Sequence, residues 1–246
     1  MDRACNAFRL CALLLVAAIC GCTSHSTVAS QPGAATLPAS QASVKPGINA
    51  PYLSDPSIPR WEGVLETESR EVYRERQRIV NAIGLKPGQC VADVGAGTGL
   101  FTLLFARAVG PQGEVIAVDI IPEFLEHIRK RADLEGLKNV TRTLGQDQST
   151  QLKPGSVDVV FLCDAYHHFE YPQPMMDSIL RALRPKGRLV VVDFERIPGQ
   201  SPDWIFEHVR CGRATVIQEI QAGGFRTMPT ANVDFLKENY MLVFRK

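Results

Sequence analysis

The chain has 246 residues, of which 45% are hydrophobic and 22% charged, with a formal net charge of +1. These are the values of one ordinary globular domain with a tether, and they exclude a wholly disordered, collagenous or coiled-coil chain. A balanced charge also gives no bulk electrostatic grip on nucleic acid, where a strongly basic domain is expected, so no nucleic-acid partner is expected.

Residues 1–22 stand apart from the rest of the chain. Arg3 and Arg9 supply a basic start, Leu10 to Cys20 is uninterrupted apolar chain, and Gly21-Cys22 comes next. This pattern predicts a secretory signal, because an apolar run this short covers only roughly half of a 30 Å hydrocarbon core at 1.5 Å per residue. Ile19-Cys20-Gly21-Cys22 also resembles a bacterial lipobox, in which a small residue precedes the cysteine that is lipidated and becomes the mature N-terminus. Cys22 is the expected anchor, which implies an exported, periplasmic, membrane-anchored protein in a bacterium, and a cytoplasmic one if the signal is not processed. Residues 23–50 are mostly Ser, Thr, Ala, Gln, Pro and Gly, with one fixed charge at Lys45. Such a segment buries too little apolar surface to offset its ordering entropy and is expected to be a disordered linker. Cysteines at 5, 11, 20, 22, 90, 163 and 211 form no C-x-x-C pair, so no disulfide framework or zinc knuckle is expected.

From Tyr52 onward, helical periodicity alternates with short apolar runs. A charged helix is expected over 62–84, with Gly84 as its stop. Strands are expected at 90–94, 115–118, 140–144, 157–162 and 188–194, with helices at 99–109, 121–135, 174–184 and 203–222. Residues 225–228 and 240–244 look like a closing antiparallel pair. Nearly unbroken runs such as Val157-Asp158-Val159-Val160-Phe161-Leu162 belong to strands buried on both faces. The expectation is an α/β, doubly wound, seven-stranded sheet, mostly parallel with an antiparallel last strand and helices on both faces.

The chemistry is concentrated after the first strand. Val91-Ala92-Asp93-Val94-Gly95-Ala96-Gly97-Thr98-Gly99 runs from a strand into a glycine loop that opens a helix, and Val115-Ile116-Ala117-Val118-Asp119 ends the next strand on a carboxylate. Glycines leave no Cβ between the backbone and a ligand lying across the strand end, and the strand-end acid is the acceptor that a ribose diol needs. Together they point to an adenosine-type ligand. A dinucleotide fingerprint needs G-x-G-x-x-G, but Leu100 comes after Gly99, and Asp93 would bring a carboxylate towards pyrophosphate, which disfavours an NAD-linked oxidoreductase. Asp93 suits a cationic ligand.

Asp93 followed by Gly95, Gly97 and Gly99 resembles the first motif of the class I S-adenosylmethionine-dependent methyltransferases, over about residues 75 to 195. The resemblance implies a Rossmann-like domain over 51–246, S-adenosylmethionine as cofactor and a small-molecule acceptor, as in the type 11-like branch. It puts Gly95, Gly97 and Gly99 against the cofactor, Asp93 near its ammonium group, Asp119 on its ribose hydroxyls and Ile120 on the adenine. Asp147, displaced by one from the family's Gly-Asp pair, is the expected reader of the adenine amino group. Leu162-Cys163-Asp164-Ala165-Tyr166-His167-His168-Phe169 matches the fourth-strand motif, with Cys163 beside the cofactor and Asp164, Tyr166 and His167 as groups able to take a proton from the acceptor. The histidine pair could equally cap a helix or bond backbone carbonyls. No metal is expected, because Cys163, Asp164, His167 and His168 match no standard zinc spacing. A noncatalytic cofactor-fold lipoprotein remains an alternative, since S-adenosylmethionine is made in the cytoplasm whereas Cys22 implies export.

Overall fold

The computed structural model describes residues 42–246. The signal segment 1–22 with its lipobox and the first part of the linker, 23–41, lie outside the described residues. Seven strands form one sheet: β1 (Cys90–Val94), β2 (Glu114–Asp119), β3 (Val140–Leu144), β4 (Val157–Cys163), β5 (Leu183–Phe194), β6 (Arg226–Met228) and β7 (Asn239–Arg245). Their order is β3-β2-β1-β4-β5-β7-β6, with β7 antiparallel to both neighbours and the other pairs parallel. The strand order reverses beside β1, so the carboxyl ends of β1 and β4 flank the crevice in which open α/β sheets bind ligands.

The pattern of burial reflects this order. Central β1 is buried throughout, as is nearly all of β4, while β3 at one edge is largely exposed and carries Thr141, Arg142 and Thr143. The other edge, β6, is three residues long. Short or polar edges limit pairing with other chains. Helix α5 (Leu100–Val109) succeeds β1, with Phe101, Leu103, Phe105, Ala106 and Val109 buried, and α6 (Pro122–Leu134) succeeds β2 with proline at its first turn. Among the described residues no helix is long and apolar enough to cross a membrane.

Three segments differ from the sequence expectation. The helix expected over 62–84 is broken into α2 (Ile58–Leu65), α3 (Glu71–Arg74) and α4 (Arg76–Ile83), which come after α1 (Ala50–Ser54). The cause is tertiary. Glu71, only 2% exposed, turns inward, and its carboxylate accepts the backbone N–H groups of Lys237, Glu238 and Asn239 at 2.6, 2.9 and 2.8 Å. The helix expected over 203–222 is likewise two, α8 (Asp203–His208) and α9 (Arg213–Ala222), separated by buried Val209 and by Gly212 at the N-cap of α9. β5 begins at Leu183 directly from α7 (Pro172–Ala182), because Pro185 disfavours a helical Arg184.

The linker boundary also moves. Residues 43–49, assigned to the linker by composition, are docked. The Val44 N–H donates to the Glu170 carbonyl at 2.9 Å, the Ser43 hydroxyl to the Glu170 carboxylate at 2.7 Å, and the Asn49 amide to the His168 carbonyl at 3.0 Å. Lys45 donates to the carbonyls of Glu207 and His208, and Ile48 is buried.

Candidate active site

A cleft opens at the carboxyl ends of β1, β2 and β4. Its floor is the loop after β1, where Gly95 and Gly97 have φ of +72° and +53°. A Cβ on Gly95 would lie 2.7 Å from the Ala165 Cβ, so only glycine lets the β1 loop pass this close to the turn after β4. Gly99, expected at the ligand, is not on the cleft. A Cβ there would lie 2.6 Å from Ile128 Cγ1, so it is the close approach of α5 to α6 that excludes a side chain.

Asp93 is 3% exposed and faces the cleft from inside β1. One carboxylate oxygen accepts the Thr102 hydroxyl at 2.6 Å, and Asp93 has no ion pair among the described residues. Burial pushes its carboxyl up to about 7. Asp119 closes the opposite wall. Its two oxygens accept the N–H groups of Gly97 at 2.8 Å and Ile121 at 3.0 Å, and burial pushes it up to about 6. Ile120, Asp147 and Cys163 also line the cleft, Asp147 on an exposed turn held by the Gln146–Ser149 backbone bridge. Burial pushes the Cys163 thiol well above its ordinary range.

The three residues expected to handle protons divide. Asp164 lines the cleft at φ +48°, a left-handed conformation that Asp tolerates better than most side chains. It pairs with Arg70 and accepts the Asn239 amide at 2.8 Å, and burial pushes its carboxyl up to about 6 against the pull of Arg70. Tyr166 and His167 are not on the cleft. Tyr166 is fully buried and donates at 2.9 Å to Glu219, which also holds Arg210 at 2.6 Å. His167 turns away, with its Nδ1 2.7 Å from Asp193 Oδ1. A 3₁₀ turn, Tyr166–His168, rotates the pair so that His168 lines the cleft instead.

Sequence reasoning missed Asn49, Tyr52 and Arg70, all on the cleft wall. Arg70 and Glu71 fall within the charged helix expected over 62–84, whereas both are held inward by partners distant in sequence. Arg131, on α6, pairs with Glu66 and donates to the Thr98 carbonyl at 3.0 Å. Tyr52 stacks on Trp61 with ring centroids 4.1 Å apart and meets His168 edge-on at 5.2 Å.

A family model described as "Methyltransferase domain" matches residues 85–234, which include the whole loop and strand array around the cleft. This chain belongs to the class I S-adenosylmethionine-dependent methyltransferase family. Over 109 residues it is 34% identical to an arsenite methyltransferase of Halobacterium salinarum, covering 44% of this chain and 28% of the relative. Over 117 residues it is 34% identical to the ubiquinone/menaquinone biosynthesis C-methyltransferase UbiE of Ectopseudomonas mendocina, covering 47% and 45%. The chain therefore spans less than half the length of these curated relatives. A solved S-adenosylmethionine-dependent methyltransferase from Aquifex aeolicus shares the fold, with a TM-score of 0.66 over 77% of this chain and 98% of that one at 21% identity.

Proposed function

We propose that this chain moves the methyl group of S-adenosylmethionine to a small-molecule acceptor, and that it works as an exported protein held to a membrane through Cys22. The observation that carries the first part is Asp93. A buried carboxylate that faces a cleft with Thr102 as its hydrogen-bond partner and no ion pair is costly unless a cation completes it, so the cleft favours a ligand with an ammonium group there. Gly95 and Gly97 let the backbone lie beneath that ligand, the Asp119 carboxylate on the cleft wall suits a ribose diol, and Ile120 offers an apolar face to adenine. Asp147 stands at the rim for the adenine amino group, and Cys163 forms part of the wall.

When bound, S-adenosylmethionine supplies a methyl group activated by a sulfonium. The protein's contribution is to hold an acceptor in line with it and to exclude water. Tyr52, Val72, Phe101, Phe169 and Met175 make the cleft largely apolar, which favours an apolar acceptor. Arsenite, named for one relative, is a poorer match. Among Cys90, Cys163 and Cys211, Cys163 alone lines the cleft, and its thiol is held protonated. Asp164 is a cleft carboxylate able to accept a proton, although its pairing with Arg70 limits its basicity.

The family reading is tested by mass spectrometry of ligands that copurify with the protein. S-adenosylmethionine or S-adenosylhomocysteine is the expected species, and a nicotinamide dinucleotide would overturn the reading. Export rests on Arg3, Arg9, the apolar run to Cys20 and Gly21-Cys22. Full-length protein made in a Gram-negative host should fractionate with membranes, lose residues 1–21 and gain lipid mass, whereas Cys22→Ser should stay uncleaved or become soluble. Soluble protein that retains Met1 and an unmodified Cys22 would contradict this.

A further inference from the structure

Two histidines after β4 meet a third that lies far along the chain. His167 and His168 sit in the 3₁₀ turn, and His208 is the last residue of α8. Ring centroids are 4.3 Å apart for His167 and His168, 5.1 Å for His167 and His208, and 5.0 Å for His168 and His208. One ring nitrogen of each lies within 4.8 Å of one from each of the others. His167 is fixed from behind by the Asp193 carboxylate, 2.7 Å from its Nδ1, so that Nε2 is the ring nitrogen not engaged with Asp193. Asp193 is itself held by the N–H groups of His167 at 3.1 Å and Phe194 at 2.8 Å. His168 Nδ1 is buried and has no hydrogen-bond partner among the described residues, which is costly for a ring nitrogen.

We infer that His167, His168 and His208 form a binding site for one divalent transition-metal ion of the Zn²⁺ type, with Asp193 orienting His167 as an outer-sphere carboxylate. Three imidazoles with a carboxylate behind one of them are the donor set of an open zinc site, which keeps a fourth position for water or a substrate atom. Zn–N bonds of about 2.0–2.1 Å around a tetrahedral ion put ring centroids about 5 Å apart and nitrogens about 3.3 Å apart. Two of the three centroid separations, 5.1 and 5.0 Å, already meet the first condition, and the nitrogens lie within 4.8 Å of one another. Lys45 is the opposing charge nearby. Its ammonium is spent on the carbonyls of Glu207 and His208 at 2.6 and 2.7 Å, and the Asp193 carboxylate offsets it. The sequence expectation of no metal weighed residues 163–168 alone, and the donor that completes the set lies 40 residues beyond His168.

His168 also lines the cleft, so an ion here would stand one side chain from the proposed acceptor space. That consequence rests on the methyltransferase reading; metal binding does not. The test titrates chelator-stripped full-length protein with Zn²⁺ by calorimetry and with Co²⁺ by visible absorption. The inference expects one equivalent bound and the absorption bands of tetrahedral Co²⁺. His208→Ala, checked for folding by circular dichroism, should weaken Zn²⁺ at least about a hundredfold, and Asp193→Asn about ten- to a hundredfold. If His208→Ala does not fold, His168→Ala takes its place with the same expected loss. Absence of stoichiometric binding would overturn the inference. So would binding unchanged in the folded histidine variant. S-adenosylmethionine binding measured on the same preparation separates the two readings, since either can fail alone.

Discussion

Asp93 carries a consequence for pH. Its carboxyl titrates at about 7 in the free protein, and a cationic ligand pairs with the ionised form. Affinity for S-adenosylmethionine should therefore fall up to about tenfold for each pH unit below 7 and level off above about 8. Calorimetry in buffers of different ionisation enthalpy should show proton release on binding near pH 7, and a flat profile from pH 5.5 to 8 would contradict this role. The sign for the fold is opposite. A raised folded-state value makes Asp93 favour the free fold at low pH, an advantage lost as pH rises from about 4 through 7. Asp119 has a dual task, since it accepts two backbone N–H groups. Asp119→Ala should lower cofactor affinity tenfold or more and also cost about 2–4 kcal/mol in urea unfolding, because both N–H groups lose their partner. An unchanged affinity in a folded variant would mean that the ligand does not lie across β2. These residues were legible in the sequence because a strand, a glycine loop and a strand-end acid are local features. Tyr166 and His167 were not, because which side chain of a short turn faces the cleft depends on its rotation. Tyr166→Phe should accordingly cost about 1 kcal/mol of stability and leave cofactor binding unchanged.

At the scale of elements, the strands were legible to within a few residues wherever both faces are buried, since the apolar run itself marks them. The helix expected over 62–84 fails because its periodicity is interrupted by contacts made far away. Glu71 ties the start of α3 to the three residues that lead into β7, and Arg70 reaches Asp164 at the end of β4. Charged residues at helical spacing read as a solvated face unless those partners are known. Glu71→Ala should lower stability by about 2–4 kcal/mol, while Glu71→Gln should recover part of the loss by keeping one carbonyl acceptor. Equal urea midpoints for wild type and Glu71→Ala would show that water replaces the carboxylate at no cost. The same unit bears on the cleft, because Arg70 precedes Glu71 directly and lines the wall.

For the molecule as a whole, the sheet order and the antiparallel β7 match the doubly wound expectation, and the cleft lies at the carboxyl ends of the central strands. What composition could not show is where the folded body begins. Residues 43–49 look like linker, yet they pack over Glu170, His168 and α8. Small polar segments gain order from partners that composition does not record. A fragment of residues 51–246 should therefore unfold at lower urea concentration than one of residues 42–246. Through Asp93 and Asp119 the cleft suits a cationic adenosyl ligand better than a dinucleotide. Calorimetric titration of the folded protein with S-adenosylmethionine and with NADH, at pH 8, tests it most directly. S-adenosylmethionine should bind at least tenfold more tightly, a difference of about 1.4 kcal/mol, and Asp93→Asn should erase that preference; tighter binding of NADH would contradict the account.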